Sequence, residues 1–446
     1  MNYLDLAEDV VKKAKKLGAN EAEVYIDKQD NFSIEIMEEE IDKITQSSQI
    51  GLGLRLFLKG RSCLVHTTDF AIESLTKLIE ESITLARMAQ IDEYMCLPES
   101  EPFEIPDELK IFDSKLLNLS PDSVIERVKK TNLAARQDTG FEIETTLCTF
   151  SSMCGEIFLA NSKGFQKSYP RTTASLFQTV VAKKGNKKHR GCFHSSQRSL
   201  KQLPTAEDMG KQTALQAERI LGARTIKSKK MSVIFDPDVA SFLWMNVFEA
   251  LNCEEVLNNR SFLIDKIGKP VASPIVTIRD DARLTGGCAT VPWDAEGTST
   301  SNKIVIEKGI LKNYFYDTYN AGKAGKKTTG NSRRQYNTLP FIRPTNLYLQ
   351  RGETDLEEMI SSLQEGLFVT FMIGMGVDHV TGTFSQGAEG IYIRDGAFAF
   401  PVEEFVVSGN MFEMMQGIEM VGTDLEFHGT VSSPSILINE MSVSGK

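Results

Sequence analysis

Residues 232–265 run SVIFDPDVASFLWMNVFEALNCEEVLNNRSFLID. Ser232–Phe235 is a short apolar run with strand character. Asp236 can cap the free N–H groups of a helix, and Pro237 suits its first turn. From Val239 the apolar residues Val239, Phe242, Leu243, Val247, Phe248 and Leu251 repeat at helical spacing, with Trp244 and Met245 widening the apolar surface almost all round. The spacing predicts a central, mostly buried helix over 237–252. Its four polar residues, Ser241, Asn246, Glu249 and Asn252, gather within roughly 140° of arc at about 100° per residue.

A buried helix with a narrow polar stripe can present catalytic groups. Metal-dependent peptidases use such a helix to offer two His ligands and a Glu base. This stripe contains no His, and the plainer alternative is that it faces water or a partner.

The chain has 446 residues, more than one hydrophobic core usually holds, so two domains are expected. Hydrophobic residues make up 41% and charged residues 25%, the balance of an ordinary soluble globular protein. A net charge of −10 argues against a dedicated nucleic-acid binder, which needs a basic face to displace counterions. The basic runs KKGNKKHR (183–190) and KSKK (227–230) read as a hairpin tip and a linker. Seven scattered cysteines with no CxxC pair point to a reducing cytoplasm rather than a disulfide framework. Met1–Gly18 is charged and amphipathic, unlike a signal peptide, and no apolar run reaches the ~20 residues needed to span a bilayer.

Before the central helix the chain reads as an α+β domain over 1–226. Tyr3–Leu17 is an amphipathic helix ended by Gly18. Ala22–Asp27, Asn31–Glu38, Ile50–Leu58 and Ser62–Thr67 have strand character, and Gly51 and Gly53 allow a bulge or a close backbone approach. Asp69–Ala89 is a second helix. A proline- and acid-rich connection near 98–106 separates this block (1–97) from a second one (107–222). The second holds a helix at Pro121–Gln137 capped by Ser120, strands over 142–195 and a helix at Thr205–Leu221, so two sub-layers are expected. From 227 to 446 β-branched and aromatic runs alternate with Gly turns; after Pro270 only Asp355–Leu363 and Met411–Gln416 look helical. The second domain is therefore expected to be mostly antiparallel β, barrel- or sandwich-like, around the central helix.

No phosphate-binding GxxxxGK[ST] occurs, and no GxGxxG lies between a strand and a helix. Ser385, in GTFSQG (382–387) near His379, is the nearest approach to a nucleophile, and a Ser in such a setting is more often a turn residue. The five histidines, His66, His189, His194, His379 and His428, match no usual metal-ligand spacing.

Order of motifs is more telling. GLGLRLFLKGRSCLVHTTDF (51–70), FLANSKG (158–164) and the run from VIFDPDVASFL through RSFLIDKIGKPVAS (233–273) on to GTFSQGAEGIYIRDGAFAFPVEEFVVSGN (382–410) together resemble the TldD/TldE (PmbA) family, also described as modulators of DNA gyrase. The resemblance covers nearly the whole chain. In that family the TldD-type subunit is similar to a metallopeptidase, with His-Glu-x-x-x-His on the central helix and a Cys near the C-terminus. That window falls near Met245–Ala250 here. No His lies between 195 and 378, and the last Cys is Cys288, so neither His nor the Cys carries over.

The resemblance thus implies a TldE/PmbA-type, non-catalytic subunit. It would pair with a TldD-type partner, or with itself, in a cytoplasmic complex that degrades peptides. Zinc is expected only in that partner, with no metal, cofactor or catalytic residue in this chain. Ser241, Asn246, Glu249, Asn252, Gly382, Ser385 and Gly387 are the candidates to line a peptide cavity, and edge strands could hold an extended peptide. An interaction protein acting on DNA gyrase, and a hydrolase with an unrecognised site, are the alternatives. No direct nucleic-acid or membrane contact is expected.

Overall fold

The structure, a computed structural model, describes residues 1–99, 109–137, 139–374 and 376–446; from residue 100 on, the connection read over 98–106 lies outside the described residues. The first half contains helices α1 (Tyr3–Lys16), α2 (Ile72–Met88), α3 (Pro121–Ala134) and α4 (Ala206–Ile220). Its strands are β1 (Glu21–Met37), β2 (Glu40–Leu58), β3 (Arg61–Thr67), β4 (Glu142–Asn161), β5 (Gln166–Lys184) and β6 (Lys187–Gln197). The two blocks expected as separate sub-layers share one antiparallel sheet in the order β3-β2-β1-β4-β5-β6. The join is β1 against β4, in register from Glu23↔Asn161 to Met37↔Leu147.

Alternation along β1 sorts the two faces. Val24, Ile26, Ile34 and Ile36 point to the helical side, where α1 and α2 cover one end and α3 and α4 the other. Tyr25 points the other way, into a cluster with Ile157, Leu159, Tyr169 and, from the second half, Val291 and Trp293. Ser120 stands at the start of α3, but its side chain makes no capping bond. The turn at Gly185 is the hairpin tip between β5 and β6.

The second half contains β7 (Lys229–Phe235), α5 (Pro237–Leu251), α6 (Cys253–Leu257), β8 (Ile278–Asp281), β9 (Asn302–Glu307), β10 (Ile310–Leu311), α7 (Thr318–Ala324), β11 (Ser332–Arg333), β12 (Phe341–Ile342) and β13 (Leu347–Leu349). Then come α8 (Leu356–Ser361), β14 (Glu365–Ile373), β15 (Thr383–Arg394), β16 (Ala397–Asn410), α9 (Met411–Gln416), β17 (Ile418–Val421), β18 (Val431–Ser432) and β19 (Ile436–Ser444). Lys229 and Lys230, read as linker, already belong to β7. Helix α7 was not foreseen; Asp317 caps it by accepting from Asn320 N, and Gly325 ends it in the left-handed region at φ 61°.

Strands β7, β14, β15, β16 and β19 close into a barrel, because β16 pairs with β19 and β19 returns to β7. All its pairings are antiparallel except β7–β14. Val233 and Phe235 join the large core cluster, whereas Ile234 between them packs with Met359 and Ile360 of α8. Beside the barrel lies a five-stranded sheet, β10-β9-β8-β13-β18. Helix α5 runs between the two, touching β7 and β14 on one side and β13 and β18 on the other, and this is where the largest core sits.

Among the contacts that join the halves, two are made by β2. Tyr336 lies on the GLG stretch of β2: a Cβ on Gly51 would come within 2.4 Å of the Tyr336 ring, and one on Gly53 within 1.9 Å of its carbonyl oxygen. This is the close approach that the two glycines allow. The second contact is ionic. Arg55 of β2 is 3.1 Å from Glu23 of β1 and 3.0 Å from Glu296, and Arg334 is 2.8 Å from Glu23. All four side chains are buried.

Candidate functional site

Helix α5 starts as its sequence dictates. Asp236 Oδ1 accepts from Val239 N at 3.0 Å, and Pro237 occupies the first turn. Asp236 is buried, and loss of solvation, reinforced by the charge of Asp238, pushes its carboxyl up to about 8. The apolar side of α5 is locked by Trp244, whose indole N–H donates to Ser433 Oγ at 3.1 Å, and by Phe248, with its ring centroid 4.9 Å from that of Phe315.

The polar stripe is not one surface. Ser241 spends its hydroxyl on Pro237 O at 2.7 Å, one turn back, and lines a cavity at the start of the helix. Asn246 donates to Phe242 O at 2.8 Å, and its Oδ1 meets His379 Nε2 at 3.1 Å. Glu249 Oε1 accepts from Arg343 Nη1 at 2.8 Å. Asn252 lies beyond the last helical residue and is buried; its Oδ1 accepts from Glu254 N and caps α6. The helix ends at Leu251 because the chain pairs there with the segment before α7: Phe315 N donates to Leu251 O and Cys253 N to Phe315 O, both at 3.0 Å. Asn252 therefore cannot line a cavity with the other three.

The glycine-flanked segment is brought close to Asn246. His379 O accepts from Phe262 N at 2.9 Å, and Gly382 N closes the same turn on Asp378 O at 2.8 Å. Gly382 has φ +76°, and a Cβ there would press on Asn410 and Phe262. Ser385 is exposed on β15, its N–H donating to Gly376 O. Gly387, farther along β15, has room for a Cβ, with Ile373 at 3.5 Å. Asn246, His379 and Gly382 thus form a group, while Ser241 and Asn252 point elsewhere. Arg343, which engages Glu249, was missed because a lone arginine in a loop carries no sequence signal of its partner.

The donors present do not fit a zinc ion. The middle of α5 meets one imidazole, His379 of the loop before β15, already bonded to the Asn246 amide, and carries one carboxylate, Glu249, already bonded to the Arg343 guanidinium. The nearest thiol in sequence, Cys253, is buried, and its pKa is pushed up to about 12 by burial and by the charge of Asp317. Among the described residues no three His, Cys, Asp or Glu side chains are grouped to hold a metal ion. No helix of the described residues is long and apolar enough to cross a membrane.

Known proteins place this fold. The chain matches the PmbA/TldA metallopeptidase domain 1 over residues 22–86, the central domain over 114–221 and the C-terminal domain over 228–445. It is 28% identical to the metalloprotease PmbA of Escherichia coli O157:H7, covering 99% of this chain and 96% of that protein. A crystal structure from Bacteroides thetaiotaomicron, of a proposed modulator of DNA gyrase, superposes with a TM-score of 0.90 at 26% identity, covering 99% of this chain and 98% of that one. TldE from Thermococcus kodakarensis shares the fold with a TM-score of 0.89 at 22% identity, covering 99% of this chain and 100% of that one. With its three consecutive domains matched in order, the chain belongs to the PmbA/TldD (TldD/TldE) metallopeptidase family.

Proposed function

We propose that this chain is the non-catalytic, TldE/PmbA-type subunit of a peptide-degrading metallopeptidase complex, working in the cytoplasm beside a TldD-type subunit that carries the zinc. One observation carries the reading: the two polar groups in the middle of α5 are spoken for. Glu249 is held by Arg343 and Asn246 by His379. A carboxylate whose oxygen already accepts from a guanidinium is a poor general base, since that contact occupies the atom that would have to take the proton. The Asn246–His379–Gly382 group then serves to shape a cavity wall against a peptide rather than to cut it. Related proteins carry the name metalloprotease, so activity must be tested on the chain itself.

The test is cleavage of an unfolded peptide by the purified chain, by a TldD-type partner and by the two together, with metal content measured in each. Activity confined to samples containing the partner, with zinc following the partner, supports the proposal. Chelator-sensitive cleavage by this chain alone, or one tightly bound zinc per chain, sinks it; a homodimer without activity leaves it standing. A second reading, action on DNA gyrase, is favoured by the name attached to the Bacteroides thetaiotaomicron neighbour. A stable complex with purified gyrase would support that reading.

A further inference from the structure

At the N-terminal end of α5, away from Asn246 and Glu249, lies a cavity of about 300 Å³. It opens where β6, α4, α5, β14 and the segment before β18 meet. Its apolar wall includes Val239 and Phe242 of α5. Ser432 also lines it; this residue is 3% exposed, and its hydroxyl has no partner in the protein. His428 adds an imidazole whose Nε2 is 2.8 Å from Glu426 and whose buried Nδ1 has no partner. Such polar groups are uncommon in folded proteins without a reason.

The cavity wall carries carboxylates, one of them beside His428, and no fixed cation among its described residues. Asp238 and Glu426 are exposed and line it, and none of its described lining residues is Lys or Arg. The helix start does not act as an anion site, because Asp236 already accepts from Val239 N and its own carboxyl occupies that position. We infer that this cavity binds a small amine: a compact aryl or branched alkyl body against Val239 and Phe242, with its ammonium group toward Asp238 and Glu426. Apolar pockets with a few convergent polar groups are the usual form of small-molecule sites. The volume is about twice that of a cavity known to hold one benzene ring, enough for a ring with a two-carbon amine arm. The Ser432 hydroxyl and the His428 Nδ1 are the groups whose hydrogen-bonding needs such an occupant, or a water it brings, would meet.

The probe is 2-phenylethylamine, with 3-phenylpropionate as the anion of similar shape. Both are titrated by calorimetry into the full-length chain at pH 7.5. The amine should bind in the millimolar range or better, and the anion about tenfold more weakly or not at all. Asp238→Asn combined with Glu426→Gln, two exposed positions whose amides keep the shape of the carboxylates and leave an oxygen for His428, should weaken the amine about tenfold and narrow the gap to the anion. Ser241→Leu, which pushes a side chain into the space from α5, should abolish binding. Equal affinity for the two probes, no heat from either at about 10 mM, or an amine affinity unchanged in the charge-removed variant would each overturn the assignment. The charge-removed variant keeps the test open even if Ser241→Leu misfolds.

Discussion

Arg55→Met is the substitution that best probes how the two halves are held. Arg55 is buried and joins Glu23, in the first-half sheet, to Glu296, which comes from the second half. Its Nη2 donates to Glu296 at 3.0 Å, while its Nε faces Glu23 at 3.1 Å but off the line of a hydrogen bond. Methionine fills much of the same space without the charge, so packing loss is small. What remains is Glu296 buried, its Oε2 still accepting from Thr318 N but its Oε1 without a cation. Breaking a buried pair from one side costs about 3–5 kcal/mol. Glu23 keeps Arg334 at 2.8 Å, which argues for the low end, about 3 kcal/mol. Adding Glu296→Gln removes the stranded charge and should restore about 1–2 kcal/mol. Of the two tryptophans, Trp293 packs on this face against Tyr169 at 4.7 Å, so its fluorescence in a Trp244→Phe background reports separation of the halves during urea titration. A loss below about 1 kcal/mol in Arg55→Met, or no recovery in the double variant, would show that the ion network does not hold the halves together.

Three further outcomes follow from the same structure. Burial, aided by Asp238, raises the Asp236 carboxyl to about 8; burial, aided by Glu296, raises Asp294 to about 7 and Asp317 to about 6. Their unfolded values are about 3.9, so between about pH 4 and 8 the folded state binds more protons and these groups add stability as pH falls. Asp236→Asn keeps a capping oxygen, so it should flatten that dependence in urea midpoints compared from pH 5 to 8; an unchanged slope would contradict the assignment. Gly53→Ala must displace Tyr336 and should cost about 2 kcal/mol or more, whereas Gly387→Ala should be nearly neutral; limited proteolysis around residues 334–341 distinguishes them. Arg343→Ala removes a half-exposed ion pair and should cost at most about 1 kcal/mol. It should also leave the chain unable to retain zinc in equilibrium dialysis, since one imidazole and one carboxylate remain.

Local chemistry made some of this readable in advance. Asp236-Pro237 announced α5, Gly18 announced the end of α1, and Gly51-Leu-Gly53 signalled a close approach without saying by what. Pairing was not readable. Nothing in Glu21–Met37 says that it lies beside Glu142–Asn161 rather than staying in its own block, and nothing in Lys229–Phe235 says that it runs parallel to Glu365–Ile373. Such choices rest on contacts between residues more than a hundred positions apart, which alternation along one strand does not encode. The same limit split the α5 stripe. Helical geometry put Ser241 and Asn252 on one arc, but Asn252 fell one residue past the helix end and turned to cap its neighbour. Glu249 looked free because Arg343 is 94 residues away in the chain.

The closed barrel has a consequence for how the polypeptide comes off the ribosome. Strand β7, at residues 229–235, needs β19, at 436–444, along one of its edges, and β16 needs the same strand. Until that last segment emerges, two strands expose unsatisfied N–H and C=O groups, the kind of edge that invites pairing with other nascent chains. The first-half sheet is complete some 240 residues earlier, when Gln197 has been made. Synthesis therefore leaves a long interval in which one half can be finished while the other must be kept from sticking, and a premature stop shortly before β19 should yield aggregates rather than a shortened soluble product.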